Sequence, residues 1–172
     1  MLNALDNQLR LLAQDYYPKF RENIKERAGG HVNEEQLGAL KEFIFLMPIT
    51  LKQLSIYWNR KDTPAEAKRV SGFIITYIYH PRDLLPEGKN NLFGYLDDAY
   101  LVVQAYLKIH DHFLKDWRQL PPEDLELTSR ARKLIVAPQM LIPEVAGKID
   151  KMIETLINGD QSEFLSFVNN HS

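Results

Sequence analysis

Thr63-Pro64-Ala65-Glu66-Ala67-Lys68-Arg69-Val70-Ser71-Gly72-Phe73-Ile74-Ile75-Thr76-Tyr77-Ile78-Tyr79 could be a buried strand or a helix, and the fold of the whole chain turns on that choice. Its β-branched content favours a strand. Its opening favours a helix: a Thr cap, Pro at the first position, and a Glu placed to reach back to the cap. Length decides, since a strand is usually much shorter than this run. From Val70 to Tyr79 apolar residues fall on nearly every face, the mark of a helix that is enclosed rather than docked on one side. Pro81 ends it, and Arg82 to Asn91, with Pro86 and Gly88, reads as an irregular connection.

Downstream of that connection a second apolar helix runs to about Trp117, carrying Leu96, Tyr100, Val102, Val103, Tyr106, Leu107, Ile109 and Phe113. The two helices are expected to form a central antiparallel hairpin, with Phe73 and Val103 among its most buried side chains. Upstream, Leu2, Leu5, Leu9, Leu12, Tyr16, Phe20 and Ile24 mark one helical face, kinked at Pro18 and stopped by Ala28-Gly29-Gly30. Asn33-Glu34-Glu35-Gln36 has the spacing of a capping box and opens a helix to about Asn59, with a bend near Pro48. Beyond Trp117, Pro121-Pro122 reopens a helix at Glu123-Asp124, acids suited to the positive end of the helix dipole. Pro138 and Pro143 divide the remaining chain, Asn158-Gly159 stops the helix begun at Pro143, and Asp160-Gln161-Ser162-Glu163 caps a last short one. The expectation is an all-α chain: one compact domain over residues 1–172, of about six or seven helices, with 121–172 as a C-terminal helical extension.

Composition narrows the function. The 172 residues are 45% hydrophobic and 26% charged, as in ordinary globular domains. Twenty-one Lys and Arg against 23 Asp and Glu leave a net charge of −2, which argues against a nucleic-acid binder. The absence of cysteine excludes disulfides, thiol catalysis and cysteine-ligated metals. The first residues lack the basic start and apolar run of a secretory signal. The longest uncharged runs, Val70 to Pro81 and Leu134 to Pro143, fall short of the roughly 18 residues a membrane-spanning helix needs. A soluble, cytoplasmic protein is expected.

The joint between the two apolar helices reads Tyr79-His80-Pro81-Arg82-Asp83-Leu84-Leu85-Pro86-Glu87, then Gly94-Tyr95-Leu96-Asp97-Asp98-Ala99. It resembles the signature of the YkvA-like family of bacterial helical proteins, in which a Pro-x-Asp-Leu-Ile-Pro-Asp turn, a short apolar loop and a Pro precede Gly-Tyr-x-Asp-Asp. Pro81, Asp83, Leu84, Pro86, Gly94, Tyr95, Asp97 and Asp98 match. Glu87 replaces the second turn Asp, and polar Gly88-Lys89-Asn90-Asn91 stands where the family has apolar residues and a Pro. The likeness covers roughly residues 70–106. It implies a shared helical core and turn but no mechanism, since the family has no established activity. The family's apolar loop suggests membrane contact, and the polar loop here removes the basis for it.

Adjacent helical residues point about 100° apart, so Asp97 and Asp98 cannot easily serve one site. On a helical wheel Asp97 joins Gln104, Lys108, Asp111 and Lys115, read as a solvent face. Asp98 joins Val102, Ala105 and Ile109 and is expected to be buried, accepting hydrogen bonds from backbone donors or from Arg82. Asp83 reads as a residue fixing its own turn, which with Pro81, Pro86, Gly94, Tyr95 and Asp98 forms a structural joint. The alternative is a cation site of His80, Asp83, Glu87 and Asp98, oxygen-rich and therefore suited to Mg or Ca. His110-Asp111-His112 lacks the i, i+4 spacing of zinc helices, and its histidines read as surface or border residues. His112 also lies about 21 Å of helix rise from Asp98, too far to share an ion. Basic clusters at Arg60-Lys61 with Lys68-Arg69, and at Arg130-Arg132-Lys133, read as solvated helix ends. Hydrolase, phosphate-loop and dinucleotide motifs are missing.

The sequence therefore points to a non-enzymatic helical interaction or scaffold protein without a cofactor. Its expected partner is another protein or a further copy of itself, and no nucleic acid. The alternatives are the cation or hydrolytic site at Asp83 and Asp98, and peripheral membrane association through Trp58, Trp117 and the basic helix ends.

Overall fold

The computed structural model describes residues 2–78, 91–114 and 121–169. All regular elements among them are helical: α1 (Leu2–Asp15), α2 (Tyr17–Arg27), α3 (Glu34–Asn59), α4 (Ala65–Ile78), α5 (Leu96–Phe113), α6 (Pro122–Leu134), α7 (Val136–Leu141), α8 (Pro143–Ile157) and α9 (Ser162–Asn169). The all-α reading holds. There are more segments than the six or seven expected, because prolines cut more sharply than the hydrophobic pattern suggests. Pro18 does not kink one helix but separates two. The ladder of α1 ends with the Tyr16 N–H on Leu12 O, and that of α2 begins with the Phe20 N–H on Tyr16 O. Pro18 thus sits in the first turn of α2, where a missing N–H costs nothing.

Local chemistry closes the helix ends as expected. Asn33 Oδ1 accepts the Gln36 N–H at 2.8 Å and Gln36 Oε1 accepts the Asn33 N–H at 3.0 Å, completing the capping box of α3. At the end of α2 the Gly29 N–H donates to Glu26 O and the Gly30 N–H to Lys25 O. The end of α8 repeats the pattern, Gly159 to Leu156 O and Asp160 to Thr155 O. Gly29 and Gly159, at φ of 70° and 89°, take the left-handed conformation that this terminal motif demands. Helix α3 runs unbroken through Pro48, where Thr50 Oγ1 donates to Leu46 O at 2.9 Å.

The core is built around α5. Every residue from Leu96 to Val103 is buried, as are Ala105, Tyr106, Leu107, Ile109 and His110. Its principal partner is α3, flanked by α8 and α4. The α4–α5 contact expected from the sequence is present, but α4 is not the second centre. Val70, Ser71, Ile74 and Tyr77 are buried, Phe73 and Ile75 only partly, and Thr76 is exposed. Phe73 packs at the margin against Phe164 of α9, ring centroids 4.9 Å apart. A run apolar all round shows that a helix can be enclosed; the much longer apolar stripe of α3 claims the inner position.

Candidate functional site

The polar groups singled out in the sequence fall into three places. A 3-10 turn over Leu92–Tyr95 leads into α5, pinned by Asn91, whose side chain accepts the Phe93 N–H at 2.8 Å. Gly94 and Tyr95 are buried in it. Asp97 and Asp98 follow in the first turn of α5, where the helix dipole favours negative charge. Asp98 is 2% exposed, as expected, but Asp97 is enclosed as fully, at 1%, and its assignment to a solvent face is wrong. The start of α5 is enclosed on all sides, so two carboxylates 100° apart both point into protein; each has an interaction partner. His80, Pro81, Arg82, Asp83, Pro86 and Glu87, together with Trp117, lie outside the described residues. Of the expected cation set only Asp98 is described. Among the described residues no three His, Asp or Glu side chains are grouped to hold a metal ion.

Asp111 of that face is exposed as expected, but Gln104 and Lys108 are half-buried, for a related reason. Tyr100, Gln104 and Lys108 form a stripe that meets α8, buried at Tyr100 and grading to an exposed pair at Lys108. The Tyr100 hydroxyl donates to Asp150 Oδ1 at 3.1 Å, Gln104 Nε2 donates to the same oxygen at 2.7 Å, and Lys108 pairs with Glu154 at 3.1 Å. Burial pushes the Tyr100 phenol pKa up, helped by the Asp150 charge. The polar spacing is that of a helix–helix seam.

The third place was missed. His110, read as a surface or border residue, is fully buried (0% exposed), whereas His112 is exposed. His110 Nε2 lies 2.7 Å from the Tyr57 hydroxyl of α3. Tyr57 stacks on Tyr106, rings 5° from parallel, and Tyr106 lies 4.5 Å from the His110 ring. The Tyr106 hydroxyl meets Thr128 Oγ1 at 3.0 Å, and Thr128 donates to Asp124 O at 2.7 Å. Three helices are thereby joined by one buried polar chain. Desolvation dominates its electrostatics: His110 is lowered to about 4, Tyr106 is pushed up to about 12, and Tyr57 is raised further. Both phenols therefore stay protonated and the imidazole neutral, a pairing satisfied when Tyr57 donates to Nε2. The signal was present: His110 follows Val103 and Tyr106 at steps of seven and four, on the inward stripe.

Three arginines of the expected basic clusters are held in ion pairs. Arg60 pairs with Asp62, Arg130 with Glu42 at 2.7 Å, and Arg132 with Asp111. Trp58 is half exposed and lies beside Gly72, where an added Cβ would come within 3.6 Å of its ring nitrogen. No helix among the described residues is long and apolar enough to cross a membrane.

A groove between α1 and α3, floored by Phe45, Pro48 and Ile49, is open to solvent. Along α1 only Leu9 is fully buried; Leu2, Leu5, Leu12 and Ala13 are half covered. No family model, curated protein or solved structure matches the chain.

Proposed function

We propose that this chain is a helical interaction or scaffold protein, which holds a protein partner and transforms no substrate. We further propose that it is related to the YkvA-like helical proteins through the motif that ends in Gly94-Tyr95-Leu96-Asp97-Asp98. One contrast carries the reading. Among the described residues the groups of chemical interest, His110, Tyr57, Tyr106, Asp97 and Asp98, are enclosed in protein, while a seam along α1 and α3 with Phe45 and Ile49 at its floor faces solvent. A general acid, base or nucleophile must come within hydrogen-bond reach of its substrate, and these side chains are closed off from solvent by the protein around them. Partly covered apolar surface with a polar rim is what an interaction face requires.

The test is photo-crosslinking in the producing cells, with the crosslinking residue placed in turn at exposed Leu11, Ile49, Ile56, Leu125, Met140 and Leu165. The expected result is an adduct of one discrete mass, formed from one face and competed away by excess unlabelled chain. An adduct with a second copy of the chain identifies the partner as itself. Absence of a saturable adduct at all these positions overturns the proposal.

A further inference from the structure

Lys41, Phe45, Pro48, Ile49 and Lys52 recur at helical spacing and form a single stripe of α3, apolar in the middle and cationic at both ends. The two lysines are about 16 Å apart along the axis at the helical rise per residue. Helix α1 supplies the facing wall, and the space between is a groove of about 740 Å³. Arg10, Lys41, Lys52 and Arg130 line it against one acid, Asp6, in a chain whose net charge is −2. Arg10 is held by Asp6 at 2.8 Å, with its guanidinium above the Phe45 ring, and Arg130 is held by Glu42. The Lys41 ammonium lies over the Tyr17 ring, a contact that leaves its charge uncancelled. Lys52 is in no ion pair among the described residues. The surplus charge thus sits at the two ends of the apolar floor. A larger depression along α2 carries Glu22 and Glu26 beside its cations, and Lys19 and Arg21 there are paired with Glu22 and Glu34.

From this arrangement we infer that the α1–α3 groove docks an amphipathic helix of a partner protein, about three turns long, apolar where it meets Phe45, Pro48 and Ile49 and acidic where it meets Lys41 and Lys52. The inference rests on the interaction reading and specifies its partner. The concave floor selects a helix over a bilayer: a flat anionic surface reaches the rim cations but leaves the half-buried Phe45 and Leu2 of the groove uncovered. The end charges steer the guest and set its register, so affinity falls with salt.

Fluorescence anisotropy with the full chain tests this, using a labelled synthetic peptide of about 15 residues with Leu on one helical face and Glu flanking it. The expected result is saturable binding, weakened about tenfold by K41E combined with K52E, each reversal turning an attraction into a repulsion. Binding should also be lost in Ile49→Asp, whose side chain is already exposed, with melting temperatures unchanged. If the double variant melts early, Lys52→Gln alone supplies the charge readout, since Lys52 is solvent-exposed. A twin peptide with Lys for Glu and phosphatidylserine vesicles complete the comparison. Equal binding of the Lys peptide, insensitivity to the substitutions, capture by vesicles alone, or no peptide binding at about 1 mM would each overturn the inference. A crosslinked partner elsewhere on the surface would leave the interaction reading standing while removing this groove from it.

Discussion

Replacing Tyr57 by Phe deletes one hydroxyl, with its 2.7 Å bond to His110, and leaves the ring stacked on Tyr106. The cost should be about 1–3 kcal/mol, that of a buried polar partner removed, and urea denaturation measures it. The same imidazole makes stability depend on pH. Burial lowers its folded pKa to about 4, with the Asp111 charge opposing and Arg132 assisting, against about 6.5 in the unfolded chain. The unfolded state takes up the proton first, so the contribution is complete above about pH 6.5 and is lost as pH falls toward the folded value. Asp124, raised chiefly by burial and opposed by the Arg60 charge, works in the opposite sense around the carboxylate range. His110→Gln should therefore flatten the fall in urea midpoint between about pH 7 and pH 5; an unaltered slope would place that titration elsewhere. Asp97 and Asp98 now belong together. Alanine at either should cost about 1–3 kcal/mol, where a solvent-facing Asp97 would have cost almost nothing.

Helix α8 completes α5 through an alignment of i, i+4, i+8 side chains, Tyr100, Gln104 and Lys108, over Asp150 and Glu154. Within this seam burial grades the cost. Asp150→Ala strands a phenol and an amide and should destabilise by about 1–3 kcal/mol. Glu154, whose side chain is 58% exposed, should change little, within about 0.5 kcal/mol on alanine substitution. Comparing the two thermal melts checks the seam, and equal effects would show that it carries no weight. The same logic revises Phe73. A fully enclosed ring would cost about 3–5 kcal/mol on truncation; this one, half-buried against Phe164, should cost clearly less, while Tyr106→Ala at the centre should reach that range. At the start of α3, Asn33→Ala removes half of the capping box and should cost about 1 kcal/mol, read from the shift in urea midpoint.

At the scale of the whole molecule one helix is enclosed by the others, and the polar contacts fall where neighbouring helices meet it: Asp97 and Asp98 at its start, Asp150 along α8, and His110 near its end between α3 and α6. The amino-acid order by itself determined the helical class, the caps at Asn33 and Asp160, the stops at Gly29 and Gly159, and the helix starts at Pro122 and Pro143. Each of these depends on a few consecutive residues and on backbone rules that act within one or two turns. It also marked the two helices with the densest apolar content. Tertiary structure alone decided that α3 is the inner partner of α5, that Asp97 and His110 are buried, and that Gln104 and Lys108 meet acids of α8. A helical wheel gives the direction of each side chain but not what stands opposite, because a polar stripe facing solvent and one facing a complementary helix have the same sequence period. The groove between α1 and α3 has the same origin: it exists only because two helices distant in sequence meet along a seam that neither one closes.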